Sequence, residues 1–462
     1  MLQGRLLGPH DKPLPGVSIV LSGIDPQRTV VTDAEGRFCF TDLPSGVYDL
    51  SAEAHGVRLV EQIGVPVEAD QVKEIVLRFH PTTSSKHDPT GGELPPPPTR
   101  PPPVHEHDGP PLHGHGQGAP PPVSLPSVTE EHDGYSEVEV YYGTDRFATG
   151  SPVPELRYGP QRSGASSLHL GVLKVSVPHF HHPGEIEEPS IWRFEFRPDP
   201  NKHMVLLGVS PLSPNNFYGR MKQTLDRSQH RELLVFVHGY NVSFATAALR
   251  TAQLAYDLKL DGAPVLYSWP SQAALAGYPV DETNVEWTVP HLEAFLTDLA
   301  QRSGASSIDL IAHSMGNRAL TRALERIGGK MTATAKPPFR QILLTAPDVD
   351  AGVFSQIAQV FRKTGQRVTL YASSNDQALK ASKSFHGFPR AGDTVPDIVV
   401  LPDLDTVDVS LVDTGLLGHS YYGDNTSVLT DIFHLLRDGK PPDQRGLKPR
   451  TKNGMAYWAF VP

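Results

Sequence analysis

From residue 137 onward, short apolar runs of strand length alternate with longer segments of helical periodicity, and this alternation restricts the possible folds most strongly. It is typical of a parallel sheet that is covered by helices on both faces. Five strand–helix units predict an α/β fold with a doubly wound, mostly parallel sheet. The predicted strands are residues 233–237, 264–269, 308–312, 341–345 and 367–372, and the predicted helices are residues 244–258, 285–302, 317–327, 352–363 and, near the end, 427–437.

Residues 1–80 follow a different pattern, in which short β-type runs are separated by turn signals. Close spacing of such runs is typical of an all-β sandwich. In residues 17–21 the odd positions would face the core, and Phe38 and Phe40 would face it too, whereas Cys39 would point away. With a last strand at residues 73–79, this segment is long enough for a seven-strand sandwich.

The turns of this segment carry a family resemblance. The sequences PLPGV at 13–17, TDAEGRF at 32–38 and LPSGVY at 43–48 resemble those of the carboxypeptidase regulatory-like, or transthyretin-like, family. The resemblance covers nearly all of residues 1–80 and implies a small β-sandwich domain. Because these motifs mostly record turn chemistry, they predict the fold well and the function poorly.

Residues 81–130 are rich in proline and histidine and predict a disordered linker. Between Pro89 and Pro126, 14 of 38 residues are proline, and too few apolar side chains are present to offset the entropy of ordering. We expect an extended, partly polyproline-II tether whose core could reach about 120 Å. The predicted organisation is a sandwich at 1–80, a linker at 81–130 and an α/β domain at 131–462. The linker contains two histidine pairs that could bind a transition metal, His105/His107 and His113/His115. A solvated spacer is the favoured interpretation because no cage of ligands is preformed.

Composition and charge exclude several classes of function. With 41 basic and 51 acidic residues, the net charge of −10 gives no electrostatic reason to expect a nucleic-acid partner. Cys39 is the single cysteine, so an intrachain disulfide and a Cys-x-x-Cys metal site are both impossible. The N-terminus lacks the pattern of a secretory signal, and no run approaches the ~18 apolar residues of a membrane span. The sequence as it stands predicts a soluble protein with a cytoplasmic location.

Residues 308–318 carry the strongest chemical signal. An apolar strand leads into AHSMG at 312–316, and a predicted helix follows at once. This is the context of a nucleophile elbow, a tight strand-to-helix turn that holds a serine hydroxyl above the sheet. Small residues flank the serine because the two backbones pass closely there, and Ala312 departs from the G-x-S-x-G pattern by one methyl group. Ser314 is therefore the predicted nucleophile.

An acid and a histidine should follow the nucleophile, in that order along the chain. Asp376 comes just after the predicted strand at 367–372, where catalytic groups collect in open α/β sheets, and it is the predicted acid. Asp348 and Asp350, one strand earlier, are the alternatives.

His419 is the predicted general base. It lies in the glycine-bounded run GLLGHSYY at 415–422, and a loop there can bring an imidazole to the serine from above the sheet. His386 and His434 also follow Ser314 in the chain. A structural role is favoured for His434, which lies within an amphipathic helical segment, and His386 is a weaker candidate because it precedes the last strands.

A fourth element precedes the serine. The apolar strand at 233–237 is followed by HGYN at 238–241, and a His-Gly turn at this place supplies one oxyanion-hole N–H in α/β-hydrolases. We assign that donor to Tyr240, with Asn241 as the alternative, and the second donor to Met315, which follows the nucleophile. The residues predicted to line the substrate pocket are His238, Gly239, Asn241 and Trp269.

Two further features have a structural as well as a functional interpretation. Trp269 ends a predicted strand at the catalytic edge. The sequence favours equally that it lines the acyl pocket and that it covers the core. His179, His181 and His182 suggest a metal site, but no acidic ligand at helical spacing supports one. A surface loop is the favoured interpretation of that run.

Together these elements resemble a known family. The resemblance implies an α/β-hydrolase fold and ester hydrolysis through a Ser-Asp-His triad and an acyl-enzyme, with no metal or organic cofactor. The chain resembles an uncharacterised bacterial family of esterase- or lipase-like α/β-hydrolases. The similar motifs are YYGTDR at 141–146, FVHGYN at 236–241, YSWPS at 267–271, AHSMGN at 312–317, APDVD at 346–350 and GHSYY at 418–422.

The sequence therefore predicts a serine hydrolase that cleaves a small-molecule or lipid-like carboxylic ester, with an N-terminal sandwich that could bind a polymer or a surface. Two alternatives stay open: a catalytically silent hydrolase fold that serves as a binding or scaffold protein, and a thioesterase or peptidase that uses the same triad. Because the base must be neutral, we expect activity to fall below about pH 6.5.

Overall fold

The computed structural model describes residues 1–7, 13, 17–22, 28–33, 35–54, 57–68, 72–78, 129–164, 168–189, 197–273, 277–332, 334–374, 388–412 and 428–460. The chain divides into two compact units, Met1–Val123 and Ser124–Pro462. The predicted linker lies outside the described residues up to position 128, and from Thr129 its last residues belong to a strand.

The first unit is all-β, as predicted. Its described strands are β1 (Leu2–Leu7), β2 (Ser18–Ser22), β3 (Arg28–Val31), β4 (Arg37–Phe40), β5 (Gly46–Ala54), β6 (Val57–Val67) and β7 (Lys73–Arg78). They form one sheet in the order β4-β1-β7 and a second in the order β3-β2-β5-β6. Ile19, Leu21, Phe38 and Phe40 are buried and Cys39 is exposed, which confirms the predicted alternation.

The second unit contains a large mixed sheet. Its described strands are β8 (Thr129–Glu131), β9 (Tyr135–Thr144), β10 (Arg146–Ala148), β11 (Tyr158–Arg162), β12 (His169–Pro178), β13 (Val205–Leu212), β14 (Glu232–Val237), β15 (Gly262–Ser268), β16 (Ser307–His313), β17 (Phe339–Thr345), β18 (Gly365–Ala372), β19 (Asp405–Asp408), β20 (Lys448–Lys452) and β21 (Met455–Ala459). Twelve of them form one sheet in the order β13-β12-β9-β15-β14-β16-β17-β18-β19-β21-β20, with β8 paired to β9.

Parallel strands make up the middle of this sheet. From β9 through β15, β14, β16, β17, β18 and β19 to β21, all neighbours run parallel, whereas β8, β12, β13 and β20 join antiparallel. The mostly parallel sheet is therefore confirmed. These eight parallel strands end on the same side, which we call the carboxyl edge, and their last residues are Thr144, Val237, Ser268, His313, Thr345, Ala372, Asp408 and Ala459.

Helices cover both faces of the sheet. They are α1 (Pro214–Arg227), α2 (Phe244–Asp257), α3 (Tyr278–Trp287), α4 (Val289–Arg302), α5 (Gly316–Lys330), α6 (Ala351–Thr364) and α7 (Val428–Asp438). One buried cluster contains apolar residues of α1 and of α3 to α6, and a second contains those of α2 and α7. In β14, Val235 joins the first cluster and Phe236 the second, as expected for a strand that is buried on both faces. Among the described helices, none combines the length and apolar character of a membrane span.

The predicted helix at residues 285–302 is wrong in extent, because the structure has two helices there. The backbone N–H of Thr288 donates to Asn284 O at 3.0 Å and closes α3. Pro290 follows in the first turn of α4, where its missing N–H breaks the ladder of hydrogen bonds between the two helices. The proline was the signal in the sequence for this break.

Candidate active site

Ser314 lies at the turn between β16 and α5. Its φ of 49° places a non-glycine residue in the left-handed region, which is strained and needs support from its surroundings. The Asn317 amide gives that support, because Nδ2 donates to the carbonyl oxygens of Ala312, Ser314 and Thr345 at 3.1 Å each. The structure thus has the predicted strand-to-helix turn, and it holds the turn by a buried amide within the same motif.

The loop that follows β14 packs directly against this turn. A Cβ atom at Gly316 would lie 2.3 Å from His238 O, and one at Gly239 would lie 3.0 Å from Ser314 Cβ. Side chains at these two positions would push the loop away from the serine. The two glycines are therefore required by the close approach of this loop to the turn.

Both predicted oxyanion-hole donors belong to these segments. Met315 is the N-cap of α5, where the first backbone N–H groups have no partner within the helix. Tyr240 follows Gly239, and its ring lies edge-on to Tyr278 with centroids 5.1 Å apart. Asn241, the alternative donor, has a φ of 58° and marks the turn of the loop.

Asp281 of α3 ties together the loops that follow β14 and β15. Its carboxylate accepts hydrogen bonds from Ser271 Oγ at 2.6 Å, from Gln272 N at 2.7 Å and from Asn241 N at 3.4 Å. Burial raises the pKa of Asp281, while these hydrogen bonds act in the opposite direction. Sequence reasoning missed this residue, since nothing near Asp281 in the chain marks its distant partners.

His238 and Trp269, both predicted to line the substrate pocket, lie in the interior. Trp269 is fully buried, its ring stacks on that of His238 at 5.1 Å between centroids, and its Nε1–H donates to His238 O at 2.7 Å. Burial and the nearby Arg146 guanidinium hold the pKa of His238 well below 6.5. This placement favours the core interpretation of Trp269, and it gives His238 a neutral imidazole beneath the loop.

Asp348, an alternative acid, is enclosed by cationic and hydroxyl partners. Tyr278 Oη donates to its Oδ2 at 2.7 Å, Arg318 Nη2 donates to the same oxygen at 3.0 Å, and Arg390 Nε lies 3.2 Å from Oδ1. The other alternative, Asp350, accepts from Val353 N at 2.9 Å and caps α6. Both carboxylates thus have structural partners among the described residues.

Asp376, His419 and His386 lie outside the described residues. The residues next to those segments meet at the carboxyl edge: Ser374, just after β18, donates its N–H to the Oγ of Ser410, just after β19, at 2.9 Å. The segment that carries Asp376 and the segment that carries His419 therefore continue from neighbouring points on the side of the sheet where Ser314 lies. His434 lies on α7, with Nδ1 3.2 Å from Asp438 Oδ2.

Possible metal ligands occur away from this site. His179 and His182 are exposed, as a surface loop requires, but the side chain of His181 is buried between Glu187 and Asp257, with ring nitrogens 2.8 and 2.9 Å from their carboxylates. Ligand atoms of Glu130, His132 and Glu137 lie within 4.8 Å of one another. Because the Lys174 ammonium already pairs with Glu137, this group is explained as an ion-pair cluster.

Comparisons with known proteins agree with this architecture. Residues 214–437 match the family described as "Alpha/beta hydrolase of unknown function (DUF900)", and residues 1–80 match the "Carboxypeptidase regulatory-like domain". No curated protein matches the chain.

Three solved structures show partial similarity. The Bacillus anthracis TIE protein aligns at 21% identity over 17% of this chain and 16% of its own, with a TM-score of 0.15. Phospholipase PlaB from Legionella pneumophila in complex with thio-NAD aligns at 14% identity over 49% of this chain and 66% of its own, with a TM-score of 0.25. A second structure of that phospholipase aligns at 12% identity over 49% and 68%, with the same TM-score. This chain thus spans less than a fifth of the first protein and about two thirds of the second.

The strand-to-helix turn, the mixed sheet with helices on both faces and the family matches confirm both resemblances that the sequence motifs predict. The chain contains an α/β-hydrolase domain, which matches this family of unknown function over residues 214–437, preceded by a carboxypeptidase regulatory-like domain at residues 1–80.

Proposed function

We propose that the protein is a serine hydrolase that cleaves small-molecule or lipid-like carboxylic esters, with Ser314 as nucleophile. The strained turn at Ser314 carries the proposal, because a serine held at φ 49° between β16 and α5 is the geometry of a nucleophile elbow. A backbone strain of this kind persists only where the surroundings enforce it, and it clusters at functional sites.

The proposed reaction proceeds in two steps through an acyl-enzyme. Ser314 attacks the ester carbonyl while His419 takes its proton, and Asp376 holds the imidazole in the required tautomer. Backbone N–H groups of Tyr240 and Met315 stabilise the oxyanion. His419 then protonates the leaving alcohol, and water attacks the acyl-enzyme in a second step of the same kind. No metal or organic cofactor enters this mechanism.

Contacts at the carboxyl edge support the choice of acid and base. Ser374 and Ser410 are in hydrogen-bond contact, and the chain continues from them toward Asp376 and His419. Asp348 has its carboxylate oxygens next to two guanidinium groups, which is a poor environment for a residue that must pair with an imidazolium. These contacts favour Asp376 over Asp348 as the acid.

A panel of nitrophenyl esters of increasing chain length tests the proposal. We expect the wild type to hydrolyse at least the short esters, and we expect Ser314→Ala to lose activity by roughly 10⁴-fold or more. Ser355→Ala is the matched control, since Ser355 is exposed on α6 and its hydroxyl bonds only to its own helix in the described contacts. Equal activity of the wild type and Ser314→Ala would exclude Ser314 as the nucleophile.

A further inference from the structure

A buried guanidinium lies beneath the proposed oxyanion loop. Arg146 is 1% exposed and joins two loops at the carboxyl edge. Its Nη2 donates to Val242 O at 2.7 Å, after β14, and its Nη1 and Nε donate to Ser271 O at 2.9 Å and Ser268 Oγ at 2.8 Å, at the end of β15. Burial lowers the pKa of Arg146 to about 9, so the group stays cationic at neutral pH.

This guanidinium fixes the tautomer of His238. Arg146 Nη2 lies 3.3 Å from His238 Nε2, and arginine has only donors, so Nε2 must present its lone pair. Ser268 Oγ lies 3.1 Å from the same nitrogen and accepts from Arg146 Nε, so its own proton can be donated to Nε2. The single proton of a neutral imidazole is therefore on Nδ1.

The Nδ1 proton in turn orients the peptide that follows Gly239. Nδ1–H donates to Gly239 O at 2.8 Å, so this carbonyl points at the His238 ring. In a trans peptide the N–H points opposite to the C=O, and the Tyr240 N–H is therefore directed away from the ring. With the other tautomer, the lone pair of Nδ1 would face the carbonyl oxygen and repel it.

We propose that Arg146 and His238 are positioning residues of the oxyanion hole: the Arg146 guanidinium holds His238 as its Nδ1–H tautomer, and His238 orients the Gly239–Tyr240 peptide so that its N–H points away from the imidazole and can serve as the proposed oxyanion donor. This inference rests on the proposed function. It gives a role to Arg146, the last residue of the motif at 141–146. It also assigns His238 an orienting role in place of the substrate contact that the sequence predicts.

Two substitutions at His238 separate orientation from packing. In His238→Asn the amide nitrogen reaches the place of Nδ1 and can still donate to Gly239 O, whereas in His238→Gln the amide reaches the place of Nε2 and that donor is lost. We expect kcat per active site to fall by about 10²–10³ in His238→Gln, with KM little changed, and to be largely retained in His238→Asn. Active sites are counted by titration with a fluorophosphonate.

Inhibition by a trifluoromethyl ketone, which forms a tetrahedral oxyanion adduct, gives the second readout. Its Ki should rise in His238→Gln by the same factor by which kcat/KM falls. The control is His203→Gln, because His203 is similarly buried but lies before β13, where its carbonyl oxygen accepts from Ser176 Oγ near the end of β12 at the opposite edge, and should affect stability alone.

The outcomes distinguish this inference from the proposed function. An unchanged kcat per site in His238→Gln, or equal losses in His238→Asn and His238→Gln, would overturn the orienting role. A wild-type enzyme whose ester hydrolysis does not depend on Ser314 would overturn the proposed function itself.

Discussion

At the scale of single residues, the site depends on groups that hold backbone in conformations it would not adopt alone. Ser314 has a positive φ, and a non-glycine residue in that region costs about 1–3 kcal/mol. Asn317 offsets this strain with three hydrogen bonds to carbonyl oxygens around the turn. Contacts within the protein therefore hold the turn at Ser314 in this conformation.

The identity of the triad acid is a prediction at this scale. We expect Asp376→Asn to lower kcat by about 10⁴ with little change in stability, because a triad acid acts on the histidine tautomer. Asp348→Asn should instead lower the free energy of unfolding by roughly 3 kcal/mol, because it leaves the buried Arg390 without its counter-charge and leaves Arg318 with Glu282 alone. Its kcat per folded molecule should stay near that of the wild type.

Nitrophenyl ester kinetics and urea unfolding of both variants check this assignment. A folded Asp348→Asn enzyme without activity, beside an active Asp376→Asn enzyme, would show that the acid was placed on the wrong strand. The control is Asp226→Asn, which removes a carboxylate at an exposed position of α1.

The sequence predicts the strand-to-helix turn at Ser314 well because its geometry is encoded locally. The turn at Ser314 and the small residues around it are encoded within one continuous motif at 312–317. Arg146 and Asp281 could not be assigned in this way. Arg146 is 92 positions from His238, and Asp281 is 40 positions from Asn241, so only the folded sheet brings each pair together.

At the scale of elements, strand positions were easier to predict than helix ends. The apolar run of β14 is buried on both faces and stands out in the sequence, whereas β9 combines an alternating first half with a fully buried second half. The break between α3 and α4 depends on Pro290. A prediction from helical periodicity alone misses it, because the periodic pattern continues across the proline.

The connection between β12 and β13 shows how one side chain can hold an element in place. His181 donates to Glu187 and to Asp257 of α2, and Gly184 N donates to the same aspartate at 2.6 Å. Burial alone would lower the pKa of His181, but the hydrogen bonds to Asp257 and Glu187 outweigh it and raise the pKa to about 9. The imidazolium, with two N–H donors, is the form that both carboxylates require.

This arrangement predicts that the folded protein loses stability at alkaline pH. Because the folded pKa of about 9 exceeds the unfolded value, the stabilisation is complete below about pH 6.5 and is lost as the pH rises through 9. Urea unfolding should show that His181→Gln is less stable than the wild type at neutral pH, and that the difference shrinks by about 3 kcal/mol above pH 9. His179→Gln, at an exposed ion pair, is the control, and an equal difference at both pH values would contradict this account.

At the scale of the whole molecule, the two compact units predict that catalysis resides in the second. Deleting residues 1–123 keeps β8, which pairs with β9, and removes the whole first unit. We expect the truncated protein to hydrolyse soluble esters with unchanged kcat and KM. A deletion of residues 1–134 also removes β8, and this shorter protein should have a lower thermal stability than the first truncation. A large loss of kcat in the first truncation would show that the first unit contributes to the site.

The central claim is that Ser314 is a reactive nucleophile, and covalent labelling tests it most directly. The full-length protein is incubated with a fluorophosphonate and digested, and the modified residue is located by mass spectrometry. We predict a single stoichiometric adduct on Ser314, prevented by prior acylation with a slowly hydrolysed ester and absent from Ser314→Ala, while Ser355→Ala reacts like the wild type. A wild-type protein that hydrolyses esters but is labelled elsewhere, or is not labelled, would contradict the assignment of Ser314.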